Sequence, residues 1–152
     1  MISELQALDA AKAALVKYCA SPDPAQPKPQ PVCAYRVYAQ PGMWDYYLVI
    51  AKTELRTTYV LQIDADDASL MSITPLSESS TYQILSKDEA LRILRGQTAY
   101  PDLMNARLVW HPCRESANPI YPFYEFTSDG KHVYVDMNGR IYSELTPLAF
   151  GG

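Results

Sequence analysis

A helix opened by a capping serine and followed by strands occurs twice in this chain of 152 residues, and that order limits its fold more than any other feature. The first start is Ser3-Glu4-Leu5-Gln6 and the second is Ser86-Lys87-Asp88-Glu89. Both fit the capping box, in which a serine hydroxyl and a Glu or Gln three residues on satisfy the orphan N–H groups of a helix start. Leu5, Leu8, Ala11, Leu15 and Cys19 then fall on one helical stripe, as do Ala90, Leu91 and Leu94. Gly96 is a natural stop for the second helix.

Strand patterns follow each helix. Ser21 to Pro31 holds five prolines, which exclude helix and favour an extended polyproline segment. Strands are expected at Ala34–Tyr38, Tyr46–Ala51, Thr57–Asp64 and Leu70–Ile73. In the second half they are expected at Ala106–Trp110, Phe123–Thr127, Val133–Asp136 and Ile141–Leu145, with His111 to Pro122 a long loop. Asp129-Gly130 and Asn138-Gly139 read as hairpin turns. The expected fold is therefore α+β: two helix-plus-antiparallel-sheet units, read as a tandem duplication, the alternative being one α+β domain whose repeated order is coincidental. The expected domain organisation is one compact domain, 1–152, with sub-units 1–80 and 81–152.

The second half resembles a PepSY-type unit, a helix followed by an antiparallel meander that ends in a hairpin. The residues that carry this are Tyr124-Glu125-Phe126, Asp129-Gly130, Val133-Tyr134-Val135-Asp136 and Gly139-Arg140-Ile141-Tyr142. The first half matches through Tyr59-Val60-Leu61-Gln62-Ile63-Asp64, with Asp66-Asp67 where the turn glycine is expected. A tandem of such units is similar in outline to the beta-lactamase inhibitor proteins. The resemblance implies a non-catalytic module that binds or inhibits another protein, often a hydrolase.

Composition narrows the function classes. Hydrophobic residues make up 48% and charged residues 20%, as in ordinary globular proteins and unlike disordered ones. No apolar run approaches the roughly 18 residues that span a bilayer, so no membrane partner is expected. The N-terminal stretch has acids before its first lysine and no apolar h-region, so a cytoplasmic protein is expected. Thirteen Lys and Arg against 17 Asp and Glu leave a net charge of −4, which disfavours nucleic acid.

Candidate chemistry is sparse. Cys19, Cys33 and Cys113 are odd in number and lack CxxC spacing, which fits reduced thiols. His111-Pro112-Cys113 places a base two residues from a thiol, and alternate residues of an extended segment point the same way. A small enzyme or ligand binder using His111 and Cys113 is thus an alternative reading. No metal site is expected, because the two His and three Cys lack paired ligand spacing. Asp64-Ala65-Asp66-Asp67-Ala68-Ser69 opens like a calcium loop but lacks its glycine and closing glutamate, so it reads as a turn capping its own N–H groups. No glycine-rich phosphate loop occurs and no cofactor is expected. Gly151-Gly152 reads as a frayed tail.

The loops Gln40–Asp45 and Pro112–Pro122 are the candidate contact surface. They carry Met43 and Trp44, and Arg114, Asn118, Ile120 and Tyr121. Trp, Tyr and Arg are enriched at interface hot spots, and prolines lower the entropy a loop loses on docking. Trp110 and Phe123, within strands, are expected in the core. The expected function is a non-catalytic protein-binding module of inhibitor, immunity or adaptor type, with a basic partner protein. A structural component of a larger assembly is the third reading.

Overall fold

Both helices start as their capping serines dictate. In the computed structural model, which describes residues 1–19, 23–97, 104–128 and 130–148, helix α1 spans Glu4–Tyr18 and helix α2 spans Lys87–Arg95. Ser3 Oγ accepts from the Gln6 N–H at 3.2 Å, and Gln6 Oε1 accepts from the Ser3 N–H at 2.8 Å, which completes the box at α1. At α2, Ser86 Oγ accepts from the Glu89 N–H at 3.1 Å. Gly96 does cap α2, but at φ −69° it is right-handed, so the left-handed freedom of glycine is not what ends this helix.

Among the described residues there are eight strands, four before α2 and four after it: β1 (Gln30–Ala39), β2 (Tyr46–Thr53), β3 (Arg56–Asp64), β4 (Leu70–Pro75), β5 (Met104–Trp110), β6 (Phe123–Ser128), β7 (Lys131–Val135) and β8 (Ile141–Tyr142). The expectation of two duplicated helix-plus-antiparallel-sheet units is overturned. The strands belong to one sheet in the order β4-β3-β2-β1-β5-β6-β7-β8, and among the described residues, with 39% strand against 18% helix, the fold is sheet-dominated. A helix-then-strands order is a local signal, whereas the closing of a sheet is decided by strand edges that local patterns do not describe. Pro31, expected in an open polyproline segment, lies inside β1, next to a register shift between Pro31 and Cys33 that accommodates it. Ser21 and Pro22 of that segment, Asp129 of the first hairpin turn and the Gly151-Gly152 tail lie outside the described residues.

The chain divides into two compact units. One comprises Met1–Val37 and Gly42–Tyr82, the other Tyr38–Pro41 and Gln83–Gly152, so the division runs through β1. In the first unit, α1 covers one face of the sheet with Ala7, Ala11, Ala14 and Leu15 against Tyr47, Val49, Ala51, Leu61 and Ile63. The buried stripe is thus mostly alanine, and Leu5, expected on it, faces solvent. Small side chains bring the helix close to the strands. Tyr46, Leu48 and Ile50, on the opposite face of β2, are buried as well, and burial pushes the Tyr46 phenol far above its ordinary value, with Tyr82 adding to it.

In the second unit, β5 to β8 form an antiparallel run in which Phe123 meets the rings of Tyr134 and Tyr142 edge-on, with centroids 6.4 and 6.2 Å away. Trp110 and Phe123 are buried. The turn before β8 sits against α2: a Cβ on Gly139 would stand 3.1 Å from Ile93 Cδ1, and Gly139 is at φ +84°. Gly42 is also left-handed, at φ +91°, but faces open space. Alanine at Gly42 is therefore expected to cost about 1 kcal/mol in chemical denaturation, from backbone strain alone. Alanine at Gly139 is expected to cost about 1–2 kcal/mol more, because Ile93 must move. Equal losses would mean that Ile93 swings aside freely.

Candidate functional site

The turn that carries Met43 and Trp44 is fastened at its base and bare at its tip. Asp45 closes it: its carboxylate pairs with the Arg36 guanidinium at 3.0 Å, and its carbonyl accepts from the Ala65 N–H at 3.0 Å. Arg36 also lies over the Tyr47 ring, 5.8 Å from its centroid. Above this anchor Met43 is partly exposed and Trp44 is 66% exposed. No hydrogen bond or ring contact holds Trp44 among the described residues. A large apolar side chain on a solvent-facing turn that is tied at its base is a contact that loses less entropy when covered than one on a slack loop.

Arg114, Asn118, Ile120 and Tyr121 belong to the second unit, where the loop between β5 and β6 is internally bonded rather than slack. Ser116 Oγ reaches the carbonyls of Asn118 and Tyr121 at 3.1 and 2.8 Å. The Ile120 N–H donates to Asn118 Oδ1 at 3.1 Å. Arg114 N–H donates to the Thr146 carbonyl at 2.9 Å, and Cys113 bridges to Pro147. Arg114, Asn118 and Tyr121 face solvent. Ile120, expected at the contact surface, is 2% exposed and instead pins the loop to the interior. Three of the four loop residues are thus exposed, Asn118 and Tyr121 line one cleft, and Met43 and Trp44 belong to the other unit.

That loop and the turn after β7 enclose a cleft of about 290 Å³, lined by Glu115, Ser116, Asn118, Tyr121, Asp136 and Asn138 among others. Both carboxylates are engaged by protein donors. Thr146 gives its N–H and hydroxyl to Glu115, each at 2.9 Å. Asp136 Oδ1 accepts the N–H groups of Asn138 and Arg140, each at 2.9 Å, and Oδ2 accepts the Tyr142 hydroxyl at 3.2 Å. Burial pushes the Glu115 carboxyl up, but the bonds from Thr146 outweigh it and hold the group below its ordinary value.

The His111–Cys113 pair does not assemble. His111 Nδ1 lies 3.4 Å from the Pro112 carbonyl, while Cys113 Sγ donates to the Ser116 carbonyl at 3.5 Å. No bond joins the two side chains among the described residues. Burial, with the Glu115 charge adding, raises the Cys113 thiol above its ordinary value, the opposite of what a nucleophile needs. Among the described residues no group of three or more His, Cys, Asp or Glu is placed to hold a metal. The acidic turn after β3 caps itself: Asp64 Oδ1 accepts from Asp66 and Asp67 N–H groups at 2.7 and 3.3 Å.

Two features escaped the sequence reading. Glu125, buried on β6, pairs with Arg107 at 3.2 Å and His132 at 3.6 Å, and Arg107 lies over the Tyr38 ring. Residues 107, 125 and 132 share a face only once the β5–β6–β7 register is known; the signal was the alternation in each strand. Leu55, at the β2–β3 turn, is 97% exposed, and no periodicity could have flagged a single turn residue. It stands at the opposite end of β2 from Trp44. No known protein family matches the chain, nor does any curated protein or solved structure.

At neutral pH, Cys113 is expected to react with iodoacetamide far more slowly than Cys19 and Cys33, and to reach their rate only on unfolding, as peptide mapping would show. Glu115→Gln is expected to lower stability by less than about 1 kcal/mol at pH 7, since the group is largely solvated. Because the folded carboxyl titrates below its ordinary 4.5, this loss is complete above that value and disappears as pH falls through the folded one. Denaturation curves of both proteins between neutral and strongly acid pH check it.

Proposed function

We propose that the chain is a non-catalytic protein-binding module, of inhibitor, immunity or adaptor type, that docks through Met43 and Trp44. The observation that carries this reading is Trp44, two-thirds exposed on a turn whose base is tied down by Arg36, Asp45 and Ala65. Trp is the residue type most enriched at binding hot spots, and a rigid turn presents it at small entropic cost. The net charge of −4 favours a basic partner, through faster encounter and rejection of acidic surfaces. The PepSY-type chemistry of residues 124–142 agrees with a non-catalytic role and belongs to the same proposal. The free thiols of Cys19, Cys33 and Cys113 fit a reducing compartment, and we assign the cytoplasm. Among the described residues no helix is long and apolar enough to cross a membrane.

Affinity capture from lysate of the source organism tests the reading, with wild-type, Trp44→Ala and Tyr121→Ala baits matched for thermal stability. One stoichiometric partner is expected, held about tenfold or more weakly by Trp44→Ala. Binding should also blue-shift emission from Trp44, which the buried Trp110 cannot mimic. A partner retained by Trp44→Ala would discard this turn, and capture of nothing would discard the module.

A further inference from the structure

The outer face of α1 carries a palindrome of charge and apolar side chains. Leu5, Asp9, Lys12 and Val16 fall within about 60° of one another at helical spacing, on the side away from the sheet. Leu5 is 67% exposed and Val16 68%, while Ala7, Ala11 and Ala14 on the opposite side are buried. Asp9 and Lys12 face solvent, and neither has an ion pair among the described residues. Beside Val16 runs a groove of about 110 Å³, lined by Lys12, Leu15, Val16, Cys19, Lys28 and Pro29 among others. At roughly 30 Å³ for a water-sized group it takes about four such groups, the size of one leucine side chain.

We propose that this face is an interface between two copies of the chain, their α1 helices packed antiparallel about a two-fold axis between Ala10 and Ala11. Leu5 then meets Val16 of the second copy and enters the groove beside it, and Asp9 meets Lys12 of the second copy. Each contact occurs twice, because a two-fold interface is isologous. Charge chooses both the orientation and the occupant. A parallel pairing would set Asp9 against Asp9 and Lys12 against Lys12, which repel. A foreign helix of one sign would satisfy only one member of the Asp9–Lys12 pair, whereas a second copy satisfies both. One face of a fifteen-residue helix buries less than the roughly 1,200–2,000 Å² of a stable complex, so the association is weak. This inference does not rest on the protein-binding reading.

Sedimentation equilibrium of the full chain, from micromolar to millimolar concentration, tests it. Wild-type protein is expected to pass from monomer to dimer over that range. Asp9→Lys and Lys12→Asp, both at exposed positions, should each weaken the dimer about tenfold or more, since each sets two like-charged pairs face to face. Leu5→Ala, which leaves the groove unfilled, should cost about the same factor. The double variant Asp9→Lys/Lys12→Asp restores both pairs and should dimerise as wild type does. An equimolar mixture of the two single variants should form a mixed dimer that neither forms alone. Helix content by circular dichroism separates lost pairing from lost folding. A monomer at every concentration, a dimer indifferent to the single variants, or a double variant or mixture that stays monomeric would each overturn the interface.

Discussion

Strand β2 buries side chains on both of its faces, and much of the first unit follows from that. Tyr47, Val49 and Ala51 lie under α1, while Tyr46, Leu48 and Ile50 are buried on the other side. Such a strand carries no polar alternation to fix its register, because a one-residue slip exchanges one apolar face for another. The register must come from the turns. The two-residue turn at Glu54 and Leu55 sets β2 against β3 and holds a non-glycine residue at φ +58°. The Asp64–Ser69 turn, tied by the Asp64 and Asp67 carboxylates, sets β3 against β4. The residues that fasten the Trp44 turn therefore inherit their positions from one turn at the far end of β2 and from a second, Asp64–Ser69, that lies at their own end and holds Ala65.

What could be read in the sequence was local. Ser3 and Ser86 announce helix starts because a cap involves only the next few residues, and the strand runs were visible because Val, Ile and Tyr cluster between turn residues. Trp44 was placed at a surface because the loop Gln40–Asp45, which interrupts the strand runs, carries it. The sheet as a whole was not legible, since it depends on which strand edge meets which. One overlooked signal was available: Tyr46 to Ala51 is apolar without interruption, which is the mark of a strand covered on both sides in the middle of a larger sheet.

The sites divide along the same line. Ile120 looked like a contact residue by type, but a loop of twelve residues needs an apolar anchor, and Ile120 supplies it while Tyr121 turns outward. The Glu125 cluster needs three strands in register before Arg107 and His132 meet it. Asp136 was legible as a turn residue, but its position across from Glu115 depends on the path of a loop over twenty residues earlier.

The division of the chain through β1 bears on synthesis. Tyr38 to Pro41 are made early, yet they belong to the unit completed by Gln83–Gly152. At ribosomal rates Arg107, whose guanidinium covers the Tyr38 ring, is added about 3–14 s later. Through that interval the nascent chain can settle Met1–Val37 with Gly42–Tyr82, while the far end of β1 waits for its neighbours. Vectorial folding of this protein is thus split within a single strand, and a pause in translation beyond Tyr82 would prolong the exposure of the end of β1.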